Sequence, residues 1–191
     1  MSIQSRRERE RAERHQLIVT AARELAEAEG WDAVTTRRLA ARIEYSQPVL
    51  YSHFRNKEAI MAAAALEGIA ELTERLRAAR ATAAEPAAAM RAVAASYVEF
   101  AARHPALYAA MFTLTSDLSF GTADSPAILR AAFGEFTATV APFAGADADL
   151  ETLTETLWAA LHGLVALGDS HRLRPGHAQA RLDLLVDRFL R

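Results

Sequence analysis

Residues 35–57, TTRRLAARIEYSQPVLYSHFRNK, contain two short apolar-periodic segments with only a brief turn between them. Leu39, Ala40 and Ile43 give the first segment a side to bury, and Val49, Leu50 and Phe54 do the same for the second. Thr35 or Thr36 suits the N-cap of the first helix and Ser46 that of the second. Pro48 falls in a first turn, where no helical N–H is missed. A helix pair of this kind needs another helix to close its core, and one lies just upstream. It is also the geometry that presents its second helix to the major groove of DNA.

The upstream helix is expected to begin near Arg14, with Leu17, Ile18, Ala21, Ala22 and Leu25 on one apolar face. Gly30 follows the last periodic residue, where a left-handed position suits glycine, and Trp31 and Val34 anchor the connection. Asn56 caps a long helix from Lys57 to about Arg80, with Ile60, Ala64, Ile69, Leu72 and Leu76 inward. Pro86 opens a helix to about Arg103, and His104-Pro105 breaks it. A short helix from Ala106 to about Phe112 leads into a polar, glycine-bearing loop, Thr113–Ser125. Helices from Pro126 to about Val140, from Ala148 to Leu167 and from Ala178 to Leu190 follow, with a turn at Asp169–Gly176. Glycine and proline number only 8 and 6, alanine is abundant, and no strand alternation is sustained. The expectation is an all-α fold of about nine helices. Residues 1–57 would form an arginine-rich arm and a helix-turn-helix DNA-binding domain, and residues 58–191 a helical domain for effector binding and dimerisation.

A hydrophobic content of 51% with 24% charged residues is ordinary for a globular chain able to bury a sizeable core. The lack of cysteine excludes disulfides, thiol catalysis and cysteine-based zinc sites. No uncharged apolar stretch approaches the roughly 20 residues that span a bilayer. The N-terminal MSIQSRRERERAERH has no apolar core behind it, so a cytoplasmic protein without a membrane partner is expected. Residues 1–57 carry 11 basic and 8 acidic side chains, a net +3, and the remainder carries −5. That asymmetry favours phosphate, although a solvated charged arm would show it too.

In order, the residues from Leu17 to about Ile60 are an apolar-Ala-Ala helix, Gly30 with an aromatic, Thr-Thr, Leu39-Ala40, a Ser-led helix, Leu50-Tyr51-x-His53-Phe54 and Asn56-Lys57-Glu58. This pattern resembles the tetracycline-repressor (TetR) family of one-component regulators. Further on, Tyr97-x-x-Phe100-Ala101-x-x-His104-Pro105-x-Leu107-Tyr108-x-x-Met111-Phe112, then Trp158-x-x-x-His162-Gly163, is similar to a recurring C-terminal domain of that family known by a Trp-His-Gly signature. The resemblance implies a ligand-binding and dimer-forming domain without naming the ligand. One departure stands out: the turn before Ser46, where the family usually carries glycine, reads Ile43-Glu44-Tyr45. A left-handed Glu44 would cost roughly 1–2 kcal/mol.

Gln47 can pair with an adenine edge, Pro48 and Val49 can meet a thymine methyl, and Ser52 also points outward. Tyr51, His53, Lys57 and a threonine at 35 or 36 resemble the family's phosphate-contacting set, for which hydroxyl, imidazole and ammonium donors are suited. Lys57 is the only lysine in the chain. Arg6, Arg7, Arg9, Arg11 and Arg14 could follow a minor groove, but Glu8, Glu10 and Glu13 interleave with them, as in a disordered or helical solvated arm. Reading a palindromic operator in double-stranded DNA requires a two-fold dimer. The last two long helices offer Leu150, Leu153, Leu157, Leu161, Leu164 and Val165, then Leu182, Leu185, Val186 and Phe189, for a four-helix bundle. These residues also serve an intramolecular core.

For a largely apolar small-molecule effector the candidates are Tyr97, Phe100, His104, Tyr108, Met111, Phe112, Phe133, Trp158 and His162, with Thr113 and Thr115 nearby. Aromatic residues at helical spacing also form ordinary cores. As an enzyme the chain is poorly equipped: His104, His162, His171, His177, Asp117 and Asp169 have no zinc-protease spacing, and there is neither a nucleophile elbow nor a phosphate-cradling glycine loop. No metal or cofactor is implied. The remaining alternative is a DNA-binding dimer whose filled core takes no effector.

Overall fold

The computed structural model describes residues 3–114 and 125–190, whose regular structure is entirely helical. The α-helices are α1 (Ile3–Glu29), α2 (Thr36–Arg42), α3 (Gln47–His53), α4 (Lys57–Ala81), α5 (Pro86–Arg103), α6 (Pro105–Ala109), α7 (Ala127–Val140), α8 (Leu150–Asp169) and α9 (Ala178–Phe189). The expected loop at Thr113–Ser125 falls mostly outside the described residues, as do Thr115 and Asp117.

The largest departure from expectation is at the start. α1 begins at Ile3 rather than near Arg14, so the arginine-rich arm is the first half of a continuous helix. No glycine or proline interrupts residues 3–29, and arginine, glutamate and alanine are good helix formers. Pairs at i,i+4 spacing add to this, with Arg6 to Glu10 at 2.9 Å and Arg14 to Glu10 at 3.8 Å. Gly30 ends the helix at φ 83, ψ 161, a mirror-extended conformation rather than the left-handed helical one, and equally restricted to glycine.

Thr35 caps α2, its hydroxyl accepting from Arg38 N at 3.2 Å. Ser46 stands at the N-cap of α3, but its side chain makes no capping bond there. Asn56 caps the start of α4, its Oδ1 accepting from Ala59 N at 2.9 Å. α6 starts at Pro105, one residue before the expected Ala106, because proline fits the first helical position; it passes into a π-turn at Ala110–Leu114. α8 starts at Leu150 rather than Ala148 because Asp149 caps it, accepting from Glu151 N at 3.1 Å and Thr152 N at 3.3 Å.

Two compact units result. The first holds α1, α2, α3, α4 as far as Gly68, and α6 with its π-turn; the second holds α4 from Ile69, α5, α7, α8 and α9. The core of the first unit includes Ile18, Ala22, Leu25, Leu39, Leu50, Phe54 and Ile60, all buried. α6 is tied into this unit from far along the chain. Glu27 accepts from Ala106 N and Leu107 N at 3.1 and 2.9 Å, and Trp31 Nε1 donates to Ala106 O at 2.7 Å. A carboxylate at a helix N-terminus satisfies orphan N–H groups and complements the dipole. In the second unit Met90, Val93, Tyr97 and Phe100 of α5 are buried with Phe136 and Val140 of α7, Leu157 and Leu161 of α8, and Leu182 and Val186 of α9. Tyr97 meets Phe136 edge-on at 5.6 Å. The buried carboxylate of Glu135 on α7 accepts from Arg77 and Arg80 of α4, each pair closing to 2.8 Å.

Candidate nucleic-acid interface

α3 divides cleanly into two sides. Leu50 is buried and Phe54 follows it into the core, whereas Gln47, Pro48, Tyr51 and Ser52 are exposed and Val49 is half-buried. Burying the apolar pair holds the helix, so its other side is free for polar and aromatic groups. Tyr51 leaves 53% of its surface open, and its hydroxyl lies 3.4 Å from Thr36 Oγ1. That contact brings the start of α2 beside the outer side of α3. Thr35, one residue earlier, is exposed and occupied in capping α2. Ser52 donates to Val49 O at 2.6 Å, so its hydroxyl is turned toward its own helix.

The turn between α2 and α3 adopts the conformation that glycine favours. Glu44 has φ 56, and Tyr45 N reaches back to Ala40 O at 2.9 Å. This six-to-one bond is the Schellman closure of α2, with Glu44 as its left-handed residue.

Charges on α2 are unevenly available. Arg38 is held by Glu29 through two hydrogen bonds of 2.8 and 2.7 Å, and Arg42 by Glu24 at 2.8 Å. Among the described residues no ion pair engages Arg37, Arg55 or Lys57. Arg37 and Arg55 are exposed and Lys57 is half-buried. Lys57 opens α4, where the helix dipole disfavours a cation, so nothing in local helix energetics accounts for lysine there. Sequence reading passed over Arg37 and Arg55, although both stand at helix ends next to residues it singled out.

His53 sits at the end of α3 with its Nδ1 buried and unpaired. Burial chiefly, then the nearby charges of Arg11, His15 and Arg14, hold its pKa below the usual histidine value. That shift favours the neutral imidazole. Its neighbour Phe54 packs on His15 at 4.4 Å between ring centroids.

The effector candidates divide between the units. His104, Tyr108, Met111 and Phe112 lie in the first, with Tyr108 and Phe112 rings 4.9 Å apart. Tyr97, Phe100, Phe133, Trp158 and His162 lie in the second, with Trp158 and His162 rings 6.3 Å apart. Tyr97 and Phe100 expose no surface, whereas Phe133, Trp158 and His162 are half-buried. Burial lowers the His162 pKa, keeping that ring neutral. Among the described residues no three His, Asp or Glu side chains gather as metal ligands, and no helix is long and apolar enough to cross a membrane.

Residues 18–64 match the model of the bacterial regulatory proteins, tetR family, and residues 90–190 match that of the tetracyclin repressor-like C-terminal domain. The uncharacterized HTH-type transcriptional regulator YobS of Bacillus subtilis (strain 168) is 33% identical over 101 residues, which is 53% of this chain and 52% of that protein. The tetracycline repressor protein class A of Escherichia coli is 46% identical over 54 residues, 28% of this chain and 25% of that protein. The chain thus spans about half, or less, of the length of these curated relatives. A protein of unknown function from Rhodococcus sp. RHA1 shares the fold at a TM-score of 0.75 and 23% identity, covering 92% of this chain and 93% of its own. One model covers the helix-turn-helix head and the other runs from α5 through α9: the chain belongs to the tetracycline-repressor (TetR) family of bacterial regulatory proteins.

Proposed function

We propose that the protein is a homodimeric, sequence-specific DNA-binding transcriptional regulator, a repressor that leaves a palindromic operator when a small molecule binds. The observation that carries this reading is the outer side of α3: Gln47, Pro48, Tyr51 and Ser52 are exposed together on a helix anchored by buried Leu50. In this reading Gln47, Pro48 and Val49 meet base edges, Tyr51, His53, Lys57 and a threonine at 35 or 36 lie along phosphates, and Ser46 and Ser52 border the contact. Selection of bound sequences from a random duplex pool tests it. Enrichment of one palindrome supports the reading, and a folded dimer that enriches nothing rejects it. Tyr51→Ala should then weaken binding to all sequences, whereas Gln47→Ala should relax base preference.

Dimerisation through α8 and α9 supplies the two-fold axis. Leu167 and Leu184 are 42% and 58% exposed, and Leu153, Leu164, Val165 and Leu185 are half-buried, leaving apolar surface for a second copy. For the effector, the half-buried aromatics Phe133 and Trp158 with neutral His162 suit a largely apolar ligand bearing a hydrogen-bonding group. Relatives named for tetracycline favour a small molecule in this role. α4 runs through both units, so a ligand that favours one tilt of α4 changes the spacing of the two α3 helices. A coupling of about 1–3 kcal/mol is typical. A ligand that binds to saturation without lowering operator affinity would overturn release. The complete burial of Tyr97 and Phe100 favours a second reading, a DNA-binding dimer with a filled core and no effector.

A further inference from the structure

The first half of α1 has a pattern that the helix-turn-helix does not account for. Arg7, Arg11 and Arg14 stand at i, i+4 and i+7, and Ile18, Ala22 and Leu25 continue the same stripe along the helix. In its second half this stripe is core, since Ile18, Ala22 and Leu25 are buried. Beyond Ile18 the three arginines on it are exposed. Of its acidic neighbours, Glu8 and Glu10 flank the stripe and Glu13 lies well away from it. By helical geometry Glu13 lies more than a quarter-turn round from the stripe, and Glu10 stands at its edge, where it pairs with Arg6 at 2.9 Å and more loosely with Arg14 at 3.8 Å. Among the described residues no ion pair engages Arg7 or Arg11. The stripe also adjoins the reading head. His15, one residue after Arg14, stacks on Phe54, and the positive charges of Arg11 and Arg14 act on His53 at the end of α3.

An arm with mixed charge could be solvated on all sides. A helix that sorts its arginines onto the face leading to α3 is arranged for an anion beside α3. We propose that Arg7, Arg11 and Arg14 form a rigid basic ridge that contacts the DNA backbone flanking the bases read by α3. This inference rests on the DNA-binding reading and extends its footprint. From Arg7 to Arg14 the helix rises about 10 Å. One strand presents a phosphate about every 3.4 Å of helix axis, so the ridge can meet two or three. A helical arm holds its arginines in place before binding, whereas a disordered arm would have to order first.

The test uses the full chain and a duplex carrying the selected palindrome with long flanks, and reads the slope of log affinity against log salt. Each phosphate contact contributes about 0.9 to that slope. Arg7→Gln/Arg11→Gln should lower it by about 2 per protomer, while Arg6→Gln/Arg9→Gln, the same charge removed from other faces of the helix, should lower it by less than half as much. Glutamine keeps the helix, which circular dichroism verifies. Trimming the flanks should erase the difference between wild type and the first variant. Equal effects of the two variants would mean general charge attraction and overturn the ridge, as would an unchanged slope in the first. A wild-type chain that binds no duplex overturns the DNA-binding reading as well, which separates the two failures.

Discussion

Glu44 shows how one residue can hold a strained position for the sake of a turn. At φ 56 it occupies the left-handed region, and the Tyr45-to-Ala40 bond it permits ends α2 at the angle α3 requires. A side chain there costs roughly 1–2 kcal/mol, which glycine avoids at some cost in unfolded-state entropy. Glu44→Gly should therefore raise unfolding free energy in urea by about 1 kcal/mol and leave or improve DNA affinity. A large loss of affinity would assign the carboxylate a positive role. His53 makes a different statement at the same scale. Burial first, then Arg11, His15 and Arg14, lowers its folded pKa, so between the two pKa values the unfolded chain binds more protons than the folded one. Stability is complete above the unfolded value near 6.5 and declines as pH falls through it toward the folded value. In His53→Gln, denaturant midpoints measured on either side of that pH should differ less than in the wild type.

Among the elements, α6 depends most on partners distant in sequence. It has only five residues, too few to persist without support, and Glu27 and Trp31 hold both its N–H groups and a carbonyl. Gly68 completes the seat. A Cβ there would come within 2.8 Å of Met111 Sδ and 2.9 Å of Leu107 Cγ, so only glycine lets α4 approach α6 this closely. Gly68→Ala should destabilise the fold by about 1–3 kcal/mol in thermal or denaturant unfolding, because the packed Met111 and Leu107 side chains must give way. An unchanged midpoint would show that this contact relaxes freely. The same mid-helix glycine carries no such message in the sequence, where it looks only like a weak helix former inside a long apolar run.

At the scale of the whole molecule, the proposed reading of a palindrome requires two copies. Leu184 is 58% exposed on α9, and a charge there should leave the protomer core intact while opposing a second α9. Leu184→Glu should sediment as a monomer. It should also bind the palindrome about 100-fold or more weakly, since the second half-site no longer benefits from tethering. A variant that remains dimeric with full affinity would move the interface off this surface.

The sequence by itself determined most of the helices and the two-sided character of α3, because both are local. Apolar spacing near 3.6, sparse glycine and proline, and the caps at Thr35 and Asn56 each act within a few residues. The buried and exposed sides of α3 followed from that spacing, with Leu50 inward and Gln47, Tyr51 and Ser52 outward. The left-handed position of Glu44 was legible only through the family resemblance, which puts glycine in that turn. Tertiary structure alone decided the rest. It seated α6 with the N-terminal helices through contacts 75 to 80 residues apart, which no local pattern encodes. It also took Arg38 and Arg42 out of the free charge of α2 by pairing them with Glu29 and Glu24 of α1. And although the arm's arginines could be counted in the sequence, only a continuous α1 phased by its buried Ile18 and Ala22 turned Arg7, Arg11 and Arg14 onto one face, whose Arg11 and Arg14 act on His53.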